Sequence, residues 1–408
     1  MKLMKIKYSK NGSFFLTLFA LVFATALFVS CREEGAGGPP SITRVRAMNA
    51  ELADSSFVTA LPGQLIVIEG VNLSEVQEIY FNNYPAIFNP AYNTATHVVV
   101  QIPINTPTPD RNPEVSGILR VVTKHGSVDY KFAVHPPAPL LSHIYNENAR
   151  PGETMEIYGQ FLFSVNEVVF PGGIISTDLQ SNEAGTQLSV KVPADIAEAG
   201  YLTLHSPYGT AKTKFLVNNT KGPGVFANFN SESEPEYGWE RWGAIRTNDS
   251  SLFPGNDGYY IRSFFSNIGT NNPGWWENNR NVSINNYNKV VVPVSELGNP
   301  PGNYQLKFEI NTRIPIEEGP VFLIGFKWDK HNYEFHPYTL EKSRIFDTKN
   351  AWRTIAIPLS EYKVETIGTL LESNGAIGRM HLGIISKGKA IPEFDAAFDN
   401  FRIEKTNN

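Results

Sequence analysis

Apolar positions along most of this chain recur at every second residue in short runs, and Gly, Pro, Asn and Asp close each run. A period of two is that of half-buried strands, whose side chains alternate between core and solvent. In the first half the pattern occurs twice. Pro62-Gly63 is followed by Ile68, Gly70, Leu73, Val76, Glu78 and Phe81. Pro151-Gly152 is followed by Ile157, Gly159, Leu162, Val165, Glu167 and Phe170 at identical spacing. The copies also close alike. Val98-Val99-Val100-Gln101-Ile102-Pro103 matches Leu188-Ser189-Val190-Lys191-Val192-Pro193, and Lys131-Phe132-Ala133-Val134 matches Lys214-Phe215-Leu216-Val217. Pro-Gly predicts a turn, the later Gly a kink, and short strands between turns a β-sandwich. After residue 225, strand-like runs are expected at 225–229, 259–265, 289–294, 304–311, 321–328, 353–358, 381–385 and 398–403. Eight short strands predict a jelly-roll sandwich.

Composition agrees with an all-β chain of several domains. The 408 residues are 41% hydrophobic and 12% aromatic, ample for cores, with Gly 32 and Pro 28 for turns. Only 18% are charged and the net charge is -5, so no cationic field exists to hold nucleic acid. Cys31 is the single cysteine, which excludes an intramolecular disulfide and a Cys/His zinc site. His331 and His336 stand five apart in a non-helical stretch and read as exposed. Asn230 and Asp399 are too few for a calcium site, and no cofactor is called for.

The chain begins as a secretory signal, with Lys2, Lys5, Lys7 and Lys10 ahead of an apolar run over 14–29. The run is short for a spanning helix. Ser30-Cys31 at its end resembles a bacterial lipobox, with Phe28 where Leu is usual. That resemblance implies cleavage after residue 30 and lipidation of Cys31. Arg32-Glu33-Glu34 is similar to the surface-export signal of Bacteroidetes lipoproteins, and residues 31–40 form a Gly/Pro tether.

The two copies, at 41–137 and 138–219, resemble IPT/TIG domains, which are Ig-like sandwiches. Without clustered exposed aromatics or acid pairs they are expected to be spacers. Their junction, Val134-His135-Pro136-Pro137-Ala138-Pro139, is expected to be stiff. The second linker, Asn218-Asn219-Thr220-Lys221-Gly222-Pro223-Gly224, is expected to be looser.

Residues 220–408 carry all six Trp. Trp275 and Trp276 are adjacent in the turn-forming stretch Asn271-Asn272-Pro273-Gly274-Trp275-Trp276-Glu277-Asn278-Asn279-Arg280. Flat indoles among amides and charges suit the C–H face of a sugar, and Glu277, Asn278, Asn279, Arg280 and Asp329 could bind hydroxyls. Trp242 is a further expected platform residue, while Trp239 is left between ligand and core. In alternation Phe326 and Trp328 share a face, so both are candidates, with Phe394 a weaker one. Trp352 opens an alternating run with Ile355, Ile357 and Leu359 and is assigned to the core.

Phe226-Ala227-Asn228-Phe229-Asn230, Gly255-Asn256-Asp257-Gly258-Tyr259-Tyr260, the Gly-Trp-Trp stretch, Trp352-Arg353-Thr354-Ile355-Ala356-Ile357-Pro358-Leu359-Ser360 and Phe398-Asp399-Asn400-Phe401-Arg402-Ile403 together resemble jelly-roll carbohydrate-binding modules. The whole chain resembles the SusE/SGBP-B-like surface glycan-binding lipoproteins of Bacteroidetes. That resemblance implies non-catalytic capture of a plant β-glucan such as xyloglucan, at the extracellular side of the outer membrane, for a SusC/SusD-type transporter. Two other classes stay open. A glycoside hydrolase needs two carboxylates flanking one bond, and Glu277 with Asp329, or Glu317 and Glu318, are candidates that nothing in sequence pairs. A protein-binding adhesin would use the Ig-like array alone.

Overall fold

The computed structural model describes residues 37–255 and 258–406. The expected signal segment and Cys31 lie outside the described residues. Among the described residues every helical element is a 3-10 turn of three or four residues, and the regular structure is otherwise β. The all-β expectation holds.

The chain divides into two compact units, Met1–Pro137 and Ala138–Asn408. The first contains one sandwich. One sheet joins Ser41–Ala47, Leu65–Val71 and His97–Gln101; the other joins Tyr84–Pro85, Val76–Phe81, Ile118–Thr123 and Gly126–Lys131. The second unit opens with a sandwich of the same plan. Leu140–Ile144, Thr154–Gln160, Gln187–Lys191 and Leu179–Ser181 face Ile174–Ser176, Glu167–Phe170, Thr203–Ser206 and Gly209–Lys212.

The repeated residues do the same work in both copies. Gly63 and Gly152 take φ of 82° and 83° in the Pro-Gly turn, a conformation that disfavours any side chain. Ile68 and Ile157, Leu73 and Leu162, and Phe81 and Phe170 are buried in their respective cores. A Cβ on Gly70 would overlap the Ser41 carbonyl oxygen, and one on Gly159 that of Leu140. The first strand of each copy is bulged there, between Ile42 and Arg44 and between Leu141 and His143. The kink glycine is therefore the site of a close backbone approach.

Among the described residues the C-terminal module has eleven strands. They are β1 (Val225–Ala227), β2 (Trp239–Gly243), β3 (Ile245–Thr247), β4 (Tyr260–Ile268), β5 (Asn281–Val290), β6 (Tyr304–Thr312), β7 (Pro320–Phe326), β8 (His331–Phe335), β9 (Arg353–Pro358), β10 (Ala376–Ser386) and β11 (Ile391–Lys405). Sheet I has the order β3-β4-β11-β6-β9, with β1 also on β11, and sheet II has the order β2-β5-β10-β7-β8. Both are antiparallel throughout. The core joins Phe308, Ile310, Phe398 and Phe401 of sheet I to Ile284, Phe322, Ile324 and Leu382 of sheet II. The expected eight strands omitted β2, β3, β8 and most of β5. In β5 the alternation of Val282 and Ile284 with Asn281, Ser283 and Asn285 is brief and Asn286 takes the next inward position, so the run reads as loop. Asn281, Ser283 and Asn285 serve the far side of sheet II, while Asn286 donates to the Phe226 carbonyl.

The second sandwich and the C-terminal module meet in a buried charge cluster. Arg402 is fully buried and touches Glu147 at 2.7 Å, Glu309 at 3.0 Å and Glu404 at 3.3 Å. The Lys307 ammonium lies 2.7 Å from Glu147 and 2.8 Å from Glu404. Asn148 donates to Glu309 and accepts from the Asn219 N–H, and the Thr354 N–H donates to the Tyr145 carbonyl. The segment expected to be a looser linker is thus pinned. Asn219 is buried, and its side chain donates to the Pro223 carbonyl as well.

Candidate functional site

Alternation in sheet II sends Val282, Ile284, Ile324, Met380 and Leu382 into the core. Asn281, Ser283 and Asn285 of β5, Arg379, His381, Gly383 and Ile385 of β10, and Val321, Leu323 and Gly325 of β7 therefore occupy the opposite face. Across it Gly325 is registered with His381, Leu323 with Gly383, and Val321 with Ile385. The two glycines make room for flat rings. A Cβ on Gly325 would overlap His381 Cε1, and one on Gly383 would stand 2.6 Å from Trp275 Cβ.

Into that space the β4–β5 loop folds Trp275. Its indole packs with Val321, Leu323 and Ile385 and stacks on the His381 imidazole, with centroids 3.9 Å apart and planes at 3°. Trp275 is left 8% exposed. Trp276 is turned nearly perpendicular to it, at 83°, and is 57% exposed. The adjacent pair is split into a floor and a projecting ring. The loop is held from below by Arg280, which is fully buried and donates to the carbonyls of Gly274 and Glu277 and to Asn272 Oδ1. Burial lowers the Arg280 pKa, and nearby Glu277 partly offsets this. Asn272 bridges to β10 through the Ser386 hydroxyl at 2.8 Å. Asn271, Asn278 and Asn279 take left-handed φ of 56°, 55° and 58°, which Asn tolerates better than most residues.

The opposite edge of the face is the β7–β8 turn. Lys327 and Trp328 take φ of 50° and 59°, and these two left-handed residues end the strand alternation. Phe326 stays in the core, edge-on to Tyr362. Trp328 is 36% exposed, with the Arg379 guanidinium 4.6 Å above its ring. Arg379 Nε lies 3.4 Å from Glu240 Oε1, which also accepts from Asn285 at 2.9 Å. Asp329 Oδ1 lies 3.4 Å from His381 Nε2. Burial pushes the His381 pKa down to about 4, so the ring is neutral near pH 7.

The expected residues therefore divide. Trp275, Trp276 and Trp328 belong to one face of sheet II. Glu277 and Asn278 are exposed beside Trp276 in the same loop. Phe326 and Phe394 are corrections. Phe394 lies within β11 rather than in a loop, registered with Phe265 and stacked on it at 5.0 Å, inside the core. Arg280 is a second correction of kind: it ties the loop internally and offers nothing to a ligand. Trp242 is in β2, but its side chain, like that of Arg241, lies outside the described residues. Trp239 packs against the core. Trp352 is buried with Phe253 and Tyr260, as expected. Glu318 of the hydrolase candidates is paired with Arg344 and Lys389 at an exposed position. Among the described residues no group of three or more His, Cys, Asp or Glu could hold a metal.

Sequence reasoning missed His381, Arg379, Glu240 and Asn285. The usable signal was Gly325 and Gly383, each isolated in a strand-like run, where glycine marks the close approach of another group.

Residues 218–405 match the family described as the surface glycan-binding protein B xyloglucan-binding domain. That match lies in the C-terminal module and takes in a little under half of the chain. The family is one of the cell surface. An IPT/TIG domain-containing protein of Bacteroides ovatus is 29% identical over 228 residues, 53% of this chain and 46% of that protein, so the match spans about half the length of this curated relative. Among solved structures, the surface glycan-binding protein PbSGBP-B from Prevotella bryantii superposes with a TM-score of 0.67 at 19% identity. That likeness covers 91% of this chain and 99% of the other. The SGBP-B from a complex xyloglucan utilization locus in Bacteroides uniformis gives 0.54 at 20% identity, over 90% and 99%. At these identities both likenesses concern the fold: Ig-like sandwiches ahead of a larger β-sandwich.

Proposed function

We propose that this chain is a surface glycan-binding protein that captures a β-glucan chain, xyloglucan first among candidates, on the outer face of sheet II without cleaving it. The observation that carries the reading is the meeting of the Trp275–His381 stack, the projecting Trp276 ring and the Arg379-backed Trp328 on one face of the module matched to xyloglucan-binding domains. Rigid indoles offer large apolar contact at low entropic cost, and a pyranose C–H face is their complement. Glu277, Asn278 and Arg379 are the polar groups available to orient hydroxyls. In this reading Cys31 carries the lipid that holds the chain at the extracellular side of the outer membrane, and the glycan passes to a SusC/SusD-type transporter. Signal, anchor and transporter rest on the N-terminal sequence and on the resemblance.

Calorimetry and affinity electrophoresis with xyloglucan, mixed-linkage glucan and an unrelated polysaccharide test the proposal. Wild type binds at least one β-glucan, and Trp276→Ala weakens binding by about tenfold or more, equivalent to ~1.4 kcal/mol. No binding to any β-glucan, Trp276→Ala at wild-type affinity, or release of reducing ends would overturn it.

A further inference from the structure

His381 stands at the centre of β10, 1% exposed, yet neither ring nitrogen has a hydrogen-bond partner. Buried polar groups left unpaired are destabilising, and a site that needed only a flat ring could use phenylalanine. The surroundings are apolar on the side of Trp275, where Val321, Leu323 and Ile385 complete the cluster. The side toward the β7–β8 turn is polar, where Asn332 Oδ1 shares the space above Gly325 with the ring. Nε2 faces Asp329 Oδ1 at 3.4 Å, short of hydrogen-bond geometry, and Asp329 is itself well exposed and follows Trp328 directly. Trp328 and Lys327 hold left-handed φ, a conformation that persists only where neighbours impose it. The same turn is held at its other end by Arg379 on the Trp328 ring. His381 is thus in contact with both edges of the face: its ring plane with the Trp275 floor, its ring edge with the Trp328–Asp329 turn.

We propose that His381 is a positioning residue that couples the two edges of the binding face, its ring supporting Trp275 and its Nε2–H donating to Asp329 as a bound glycan presses the Trp328 turn onto the sheet. This rests on the reading of the face as a glycan platform. His381 does not touch the glycan; it acts through Trp275 and Trp328. The neutral imidazole supplies one N–H, and placing it on Nε2 closes the bond to Asp329 with no charge change. Gly325 is the enabling residue, since any side chain there would displace the imidazole.

The test is a double-mutant cycle with xyloglucan as the probe, by calorimetry on the full chain. His381→Phe keeps a flat ring under Trp275 and removes Nε2. Asp329→Ala removes its acceptor at an exposed position that does not threaten folding. Each is expected to weaken binding about five- to tenfold. The double variant is expected to bind no more weakly than the worse single one. Asp329→Asn, which keeps an acceptor, recovers most of the loss, a rescue that a purely structural role would not produce. The tryptophan emission change on adding xyloglucan should shrink in His381→Phe and in Asp329→Ala alike. Asp329→Ala at wild-type affinity overturns the proposal by itself, as do additive losses in the double variant, which would make Asp329 a direct contact. If wild type and Trp276→Ala bind alike, the platform reading falls instead.

Discussion

Replacing Arg402 by Met tests what holds the C-terminal module to the sandwich before it. The guanidinium is fully buried and reaches three carboxylates, those of Glu147, Glu309 and Glu404, while Lys307 is the one other cation in the cluster. Without Arg402, three carboxylates face one ammonium, and protons or water must enter to compensate. Breaking a buried pair by removing one partner costs about 3–5 kcal/mol. For units of this size 1 kcal/mol moves the midpoint by about 2–4 °C, so the drop is roughly 6–20 °C. Glu147→Gln should cost much less. It leaves two carboxylates facing two cations, and it removes a carboxyl whose pKa burial raises despite Lys307 and Arg402. Its cost should be about 1 kcal/mol. A carboxyl raised in the folded state contributes stability below its ordinary 4.5 and loses it as pH rises through the folded value, so Glu147→Gln should also remove that decline. Calorimetric melting of the full chain reads all of this. In wild type the second unit melts as one transition, and in Arg402→Met that transition falls and splits. A midpoint within about 2 °C of wild type, or Glu147→Gln costing as much as Arg402→Met, would refute the reasoning.

Other outcomes follow from single contacts. Gly383→Ala should cost binding about tenfold and stability about 1–3 kcal/mol, because the new methyl would stand 2.6 Å from Trp275 Cβ and lift the indole; calorimetry and melting read the two effects separately. His381 has its pKa depressed to about 4 by burial, from an ordinary 6.5. The unfolded chain takes up that proton first, so stability present above pH 6.5 should fall by up to ~3 kcal/mol as pH drops to about 4 and then level off. Melting curves of wild type and His381→Phe across this range check it: the variant lacks the slope. In the first unit, hydrogen bonds from Arg44 and Arg46 hold the Glu69 pKa down to about 2. Its contribution is complete above pH 4.5 and lost as pH falls toward 2, so Glu69→Gln should flatten the acid limb of that unit's melting.

The repeat was legible because its residues are fixed by backbone geometry rather than by partners far away. Positive φ at Gly63 and Gly152 and the overlap at Gly70 and Gly159 are local requirements that sequence spacing displays directly. Trp352 was legible for a similar reason, through the alternation that follows it. The errors came where local pattern and tertiary placement part. Phe326 and Trp328 share parity, but Lys327 and Trp328 itself are left-handed, and nothing in Lys-Trp announces this as Asn-Gly would. Strand β5 was hidden because its alternation is brief: after Val282 and Ile284 the next inward position is Asn286, which is buried and donates to the Phe226 carbonyl. Arg280 looked like a ligand group because it is charged and sits in a polar loop. Its burial depends on carbonyls that only the folded loop brings together.

The adjacent tryptophans show how far a motif can be read without coordinates. Two indoles side by side in a turn cannot share one environment, and the chain gives them different ones. Trp275 is bought its place by glycine on β10 and by an imidazole on the same strand, so its contribution is to stability and shape. Trp276 has no such bed and remains the exposed ring. Neither role is written in the dipeptide. It is written in Gly325, His381 and Gly383, which lie far along the chain and meet the loop only through the register of β7 and β10. The chemistry of the face is therefore a property of sheet II, and the Trp-Trp loop is the part of it that sequence exposes first.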